Sequence, residues 1–187
     1  MNIFVGCSSR DTDNKSYNMV AEQIASYIIN GGHNLVFGGC EHGLMGKIYS
    51  LVSKSNKSDI IVTSAKAYEG DLKNISYSKS YVSNTVNERK NTFTSISDIM
   101  IFIPGGIGTV DEIMTAIETR RNHEHNIPII IINVDNFFGH LLDMLDKIYH
   151  EGFADPKNRQ LYIVTDTASE AINYLSVSYT HLTLPTI

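Results

Sequence analysis

Short apolar runs recur along the chain, separated by stretches with the spacing of amphipathic helices. Runs at about 2–6, 34–38, 59–63, 99–103, 128–134 and 161–164 read as strands. Being apolar throughout rather than alternating, they fit a parallel sheet covered on both faces. Lys15 to Asn30 places Met19, Val20, Ile24, Tyr27 and Ile28 on one stripe, and Gly31-Gly32 supplies the stop signal. The same spacing predicts helices over about 43–54, 86–96, 109–121, 137–151 and 168–175. Residues 64–84 are polar, rich in Ser, Asn, Lys and Tyr, and read as an irregular connection or a short strand. The repeated β-α-β order predicts a Rossmann-like, doubly wound α/β fold with a mostly parallel sheet, helices on both faces and ligands at the carboxyl ends of the strands. One nucleotide-binding domain is expected over 1–175. Ser176 to Ile187 loses the periodicity and changes composition, and reads as an extraneous or disordered tail.

Composition narrows the function classes. A chain of 187 residues with 42% hydrophobic content is suited to one core. A net charge of -5 repels a polyanion, and Arg120-Arg121 is too short a basic patch to reverse that, so nucleic acid is not an expected partner. The start of the chain goes directly into Ile3, Phe4 and Val5 without the layout of a signal peptide, and no apolar run reaches about 18 residues. A soluble, cytoplasmic protein with no membrane partner is expected. Cys7 and Cys40 offer neither zinc spacing nor a disulfide framework and read as half-buried thiols in a reducing compartment.

Candidate chemistry gathers where three strands end. The first runs into Gly6-Cys7-Ser8-Ser9-Arg10, the second into Gly38-Gly39-Cys40 and on to Gly43-Leu44-Met45-Gly46, the fourth into Pro104-Gly105-Gly106-Ile107-Gly108-Thr109. Glycines let backbone amides approach a phosphate, and each following helix aims its positive end at the same place. The loops match neither a Walker A motif nor the dinucleotide fingerprint. A single glycine turn is often only structural; three converging turns point to a phosphate cradle.

Two helix starts carry charged residues. Thr109 to Glu112 has the spacing of a capping box, in which Glu112 folds back on the Thr109 amide. The functional alternative puts the Glu112 carboxylate beside the sugar of a bound nucleotide, to support an oxocarbenium-like transition state or orient water. Thr85 to Glu88 has the same spacing, followed by Arg89 and Lys90. Cations in an early helical turn oppose the macrodipole, which a bound anion would offset; a solvated surface pair is the alternative. His123-Glu124-His125 lacks a third metal ligand and reads as a polar loop, and His42 as a hydrogen-bonded loop histidine. No metal or cofactor is expected.

At these residues the chain resembles the LOG family, the cytokinin riboside 5'-monophosphate phosphoribohydrolases often labelled lysine decarboxylase-like. The matching pieces are Gly38-Gly39 with Gly43-Leu44-Met45-Gly46, Glu88-Arg89-Lys90, and Pro104-Gly105-Gly106-x-Gly108-Thr109-x-x-Glu112. Pro128, Asn133-Val134-Asp135, Phe137-Phe138, Leu141-Leu142 and Glu151-Gly152-Phe153 follow the same pattern. The resemblance implies a homodimer with sites near the subunit interface and hydrolysis of the N-glycosidic bond of nucleoside 5'-monophosphates to base and ribose 5-phosphate. It implies Arg89 and Glu112 as the catalytic pair, with Lys90, Gly105, Gly106, Gly108 and Thr109 holding the nucleotide phosphate and ribose; Ser8 and Gly39, from the first two glycine turns, are further substrate-binding candidates. The family pattern has glycine where Cys40 stands, methionine where Val86 stands, and a shorter stretch before Pro128; the insertion at about 120–126 lies near where the family approaches the base. The decarboxylase label has no support in the residues, because nothing marks a pyridoxal phosphate lysine. The alternatives are a nucleotide sensor or carrier without turnover, and a nucleosidase for ordinary purine or pyrimidine monophosphates.

Overall fold

The computed structural model describes residues 1–182, with side chains through 177. Seven strands form one sheet: β1 (Asn2–Gly6), β2 (Asn34–Phe37), β3 (Ile60–Ala65), β4 (Lys79–Ser83), β5 (Ile99–Phe102), β6 (Ile129–Ile132) and β7 (Ile163–Thr165). Their order across the sheet is β4-β3-β2-β1-β5-β6-β7, and every pairing is parallel. The chain winds outward from β1 in one direction, then crosses to β5 and winds outward in the other. This doubly wound topology leaves a crevice beside the carboxyl end of β1, where the winding reverses.

Among the described residues six α-helices cover the sheet: α1 (Lys15–Asn30), α2 (Gly43–Ser55), α3 (Val86–Ile96), α4 (Ile107–Arg121), α5 (Gly139–His150) and α6 (Ala168–Leu182). Successive strand side chains point to opposite faces. Ile3, Val5, Leu35, Phe37, Ile99 and Ile101 therefore pack with Val20, Ile24 and Ile28 of α1, Leu44, Ile48 and Val52 of α2, and Ala171 and Leu175 of α6. Phe4, Val36, Met100 and Phe102 pack on the other face with Phe93 of α3, Ile113 and Ala116 of α4, and Leu145 and Tyr149 of α5. Burial on both faces is why the strands read as unbroken apolar runs.

The short strand allowed for in residues 64–84 forms, and two helix boundaries depart from the sequence expectation. The polar stretch after β3 contains a 3-10 turn over Lys66–Asn74 and then β4, whose register pairs Ile61 with Lys79 and Ala65 with Ser83. An edge strand is bonded on one side only and tolerates Lys and Ser, which also discourage pairing with another chain. Helix α4 starts at Ile107 rather than Thr109, capped by Gly106 without a side-chain bond. Helix α6 continues to Leu182, past the expected end at 175; of the tail, 183–187 lie outside the described residues.

Candidate active site

A cleft of about 660 Å³ opens at the carboxyl ends of the central strands, bounded by the loops after β1, β2 and β5 and by the 3-10 turn after β3. The three glycine turns singled out in the sequence do converge there: Ser8, Gly39 and Gly106 all line it. Their contributions differ in kind. Of the amides near the start of α2, Gly43 N donates to Asp11 Oδ1 at 2.9 Å and Met45 N to the Ser8 carbonyl at 3.0 Å. That helix end is largely satisfied from within the protein. At α4 the cap is Gly106, which supplies no side-chain acceptor, and Gly106, Ile107, Gly108 and Thr109 line the cleft. The first amides of a helix lack intrahelical partners and carry its positive end, so of these two helix starts α4 is the one that presents it to the cleft.

Arg89 and Glu112 meet at the cleft. Arg89 Nη1 donates to Glu112 Oε1 at 2.8 Å, and the side chains are only 11% and 9% exposed. Arg89 Nε donates to the Thr63 carbonyl at 2.9 Å, and its guanidinium lies 5.7 Å from the Phe93 ring centre. Glu112 Oε2 sits beside Gly6, where a Cβ would come within 3.1 Å of it. Glu112 therefore does not fold back on the Thr109 amide: α4 begins two residues earlier, and the carboxylate crosses to α3. At the second helix start, the Thr85 half of the box forms, with Glu88 N donating to Thr85 Oγ1 at 3.1 Å, while Glu88 Oε2 accepts from Asn84 N at 2.8 Å, one residue before the cap.

Burial pushes the Glu112 carboxyl above its ordinary value against the opposing pull of Arg89, while Asp111 raises it further and Lys90 lowers it. Burial likewise drives the Cys7 thiol far up, with Glu112 and Cys40 adding to the effect. Cys7 is fully enclosed rather than half-buried, and a thiol held protonated is no nucleophile.

The other sequence candidates take distinct places. Thr109 is buried; Gly105 is not among the cleft-lining residues but lies beneath Thr109. A Cβ at Gly105 would overlap Thr109 Oγ1 and come within 3.0 Å of the Cys7 backbone. Gly105→Ala is thus expected to cost about 1–3 kcal/mol by overpacking and to weaken binding of phosphate-bearing ligands, measured by melting with and without ribose 5-phosphate; an unchanged melting temperature and affinity would count against this packing. Gly39 has φ +81°, and a side chain there would strike Leu72. The Ser8 hydroxyl donates to the Arg10 carbonyl at 2.8 Å and accepts from Arg10 N at 3.0 Å, closing its own turn. Lys90 does not line the cleft; its Nζ bonds both Asp111 oxygens at 3.0 Å.

The ring nitrogens of His125 face Thr119 Oγ1 at 3.0 Å and Ile127 N at 3.2 Å, and among the described residues no group of three His, Cys, Asp or Glu side chains is placed to hold a metal. Exposed His42 caps α2 without a side-chain bond. The insertion at 120–126 begins within the last turn of α4, a helix of 15 residues about 22 Å long, and none of it lines this chain's cleft. Sequence reading did not single out Arg10 as a lining residue, nor Tyr68 and Asp71 on the 3-10 turn. Their stretch is polar and aperiodic, and only the fold brings it over the sheet edge.

A family model described as "Possible lysine decarboxylase" matches residues 45–175. The cytokinin riboside 5'-monophosphate phosphoribohydrolases LOG5 and LOG4 of Arabidopsis thaliana are 27% and 29% identical to the chain over 173 residues. The chain belongs to the LOG family. The two alignments span 92% of this LOG-family chain and 76% and 80% of the relatives. Among solved structures, the molybdenum cofactor binding protein of Rippkaea orientalis gives a TM-score of 0.68 at 19% identity, covering 95% of this chain and 96% of that one. The Moco carrier protein of Chlamydomonas reinhardtii gives 0.69 at 16%, covering 96% and 98%. At such identities these two establish the shared Rossmann-like fold alone. The LOG cleft is lined by no lysine among its described residues. Among the described residues, no helix is long and apolar enough to cross a membrane.

Proposed function

We propose that this LOG-family chain is a metal-independent phosphoribohydrolase that hydrolyses nucleoside 5'-monophosphates to free base and ribose 5-phosphate. The observation that carries the reading is the buried Arg89–Glu112 pair at a cleft whose other wall is the open start of α4. The 5'-phosphate sits on the amides of Gly106 to Thr109, which leaves the ribose beside Glu112. The C1'–N bond breaks with its electron pair leaving on the base. Water adds to C1' and passes a proton to Glu112, which releases it through solvent to the nitrogen of the departing base, so the base leaves neutral and the carboxylate is restored. A carboxylate raised by burial suits the proton transfer, and its charge stabilises the developing oxocarbenium ion. Arg89 orients the carboxylate and offsets its charge.

The curated relatives act on cytokinin riboside 5'-monophosphates by name, which supports an N6-prenylated adenine nucleotide as substrate, with ordinary AMP as the general form. A homodimer and a cytoplasmic location complete the proposal; the 90% exposure of Ile107 at the cleft rim supports a second copy near the site. Purified protein incubated with AMP and with N6-prenylated AMP is expected to yield base and ribose 5-phosphate in equal amounts by chromatography. Tight nucleotide binding without base release would instead favour a carrier, the second reading, which the fold shared with molybdenum cofactor carriers supports.

A further inference from the structure

Two ion pairs tie α3 to α4 at consecutive positions, Arg89 with Glu112 and Lys90 with Asp111. Neighbouring residues on a helix point about 100° apart, so both pairs form only if they straddle the line where the helices meet. Arg89–Glu112 lies on the cleft side. Lys90–Asp111 lies away from the cleft lining, with Lys90 itself 12% exposed and Asp111 48%. Turning α3 by one residue about its axis breaks at least one pair. On the sheet side Phe93 stacks on Phe4 and Arg89 Nε bonds the Thr63 carbonyl; on the side facing α4 the two ion pairs set the rotation.

We propose that Lys90 and Asp111 are positioning residues, a clamp that sets the rotation of α3 and so holds Arg89 against Glu112, and that Lys90 does not bind substrate. The clamp also shapes the field at Glu112, which faces Arg89 and Lys90 from α3, Asp111 from its own helix, and Cys7 from the loop after β1. The negative Asp111 and the positive Lys90 act on Glu112 in opposite directions.

The kinetic part of the test rests on the phosphoribohydrolase reading. Asp111→Asn and Lys90→Gln are each expected to lower kcat about tenfold with KM within about twofold, inside the roughly hundredfold that a misplacement of about 1 Å can cost. The acid limb of the pH–rate profile shifts down in Asp111→Asn and up in Lys90→Gln. Exchanging the two residues, Lys90→Asp with Asp111→Lys, recovers part of kcat and serves as the second test if a single variant folds poorly. Two further measurements need no turnover: the ¹³C-carboxyl titration of Glu112 moves in the same opposite directions, and ribose 5-phosphate binding to Lys90→Gln stays within about twofold. If wild type releases no base from any nucleotide, the hydrolase reading falls and these two still judge the clamp. A loss of ribose 5-phosphate affinity beyond about tenfold in Lys90→Gln, about 1.4 kcal/mol, would make Lys90 a ligand and overturn the proposal. So would a Glu112 titration unmoved in both variants.

Discussion

Glu112→Gln is expected to lower base release by about 10²–10⁴-fold, the range lost when a positioned acid or base is removed, while the protein stays folded. The amide keeps nearly the same volume, and its oxygen can still accept the bond from Arg89 that now reaches Oε1 at 2.8 Å. What disappears is the proton acceptor and the negative charge beside C1'. A variant that released base at the wild-type rate would remove Glu112 from the mechanism. The substitution also has a stability signature. The folded carboxyl of Glu112 is raised, so its contribution is fully present below the ordinary value near 4.5 and is lost as pH rises through the folded value. The Gln variant has no such loss. Its melting temperature relative to wild type is expected to improve from pH 4 towards pH 7, and a flat difference would contradict the burial of this group.

Arg89→Ala carries the second large effect, on stability and activity together. Removing one partner of a buried pair leaves the other charge uncompensated, which costs about 3–5 kcal/mol. At 9% exposure Glu112 gains little relief from solvent. Its carboxyl, already raised by burial, loses its strongest opposing influence and rises further. Stability contributed by the protonated form then falls as pH rises, so the variant is expected to melt closest to wild type near pH 5 and furthest below it near pH 8. Arg89→Ala combined with Glu112→Gln is expected to remove most of that pH dependence, since no buried charge remains. Equal destabilisation at both pH values would show that Arg89 matters through packing on Phe93 and its bond to Thr63 rather than through charge. Base release is expected to fall sharply in the single variant, because Arg89 no longer orients the Glu112 carboxylate that it now holds at 2.8 Å.

The helix starts at Thr85 and Thr109 separate what local sequence can settle from what it cannot. Both show the same capping-box spacing, yet Thr85 caps α3 and Glu88 reaches back to the Asn84 amide, whereas Thr109 lies inside α4 and its Glu112 leaves for Arg89. Capping strength is of order 1 kcal/mol and depends on where the first turn begins. Here the glycine loop moved that start to Ile107, turning Glu112 toward the cleft. Lys90 illustrates the same limit: the chain marks it as a cation near a phosphate loop, but Asp111 is close enough to take it first.

By itself the sequence determined the layered fold, because strands buried on both faces must be apolar throughout and helices of one buried stripe must repeat near 3.6 residues. It also marked which loops crowd the carboxyl edge, since glycine takes positive-φ positions such as that of Gly39 with least strain. Tertiary structure decided the rest: that the amides of α2 are taken by Asp11 and Ser8 while α4 stays open, that β4 forms from polar residues at an edge, and that Arg89 reaches Glu112 rather than solvent. Those outcomes depend on contacts between residues far apart in the chain. No periodicity records such contacts; only the winding of the sheet brings them within hydrogen-bond reach.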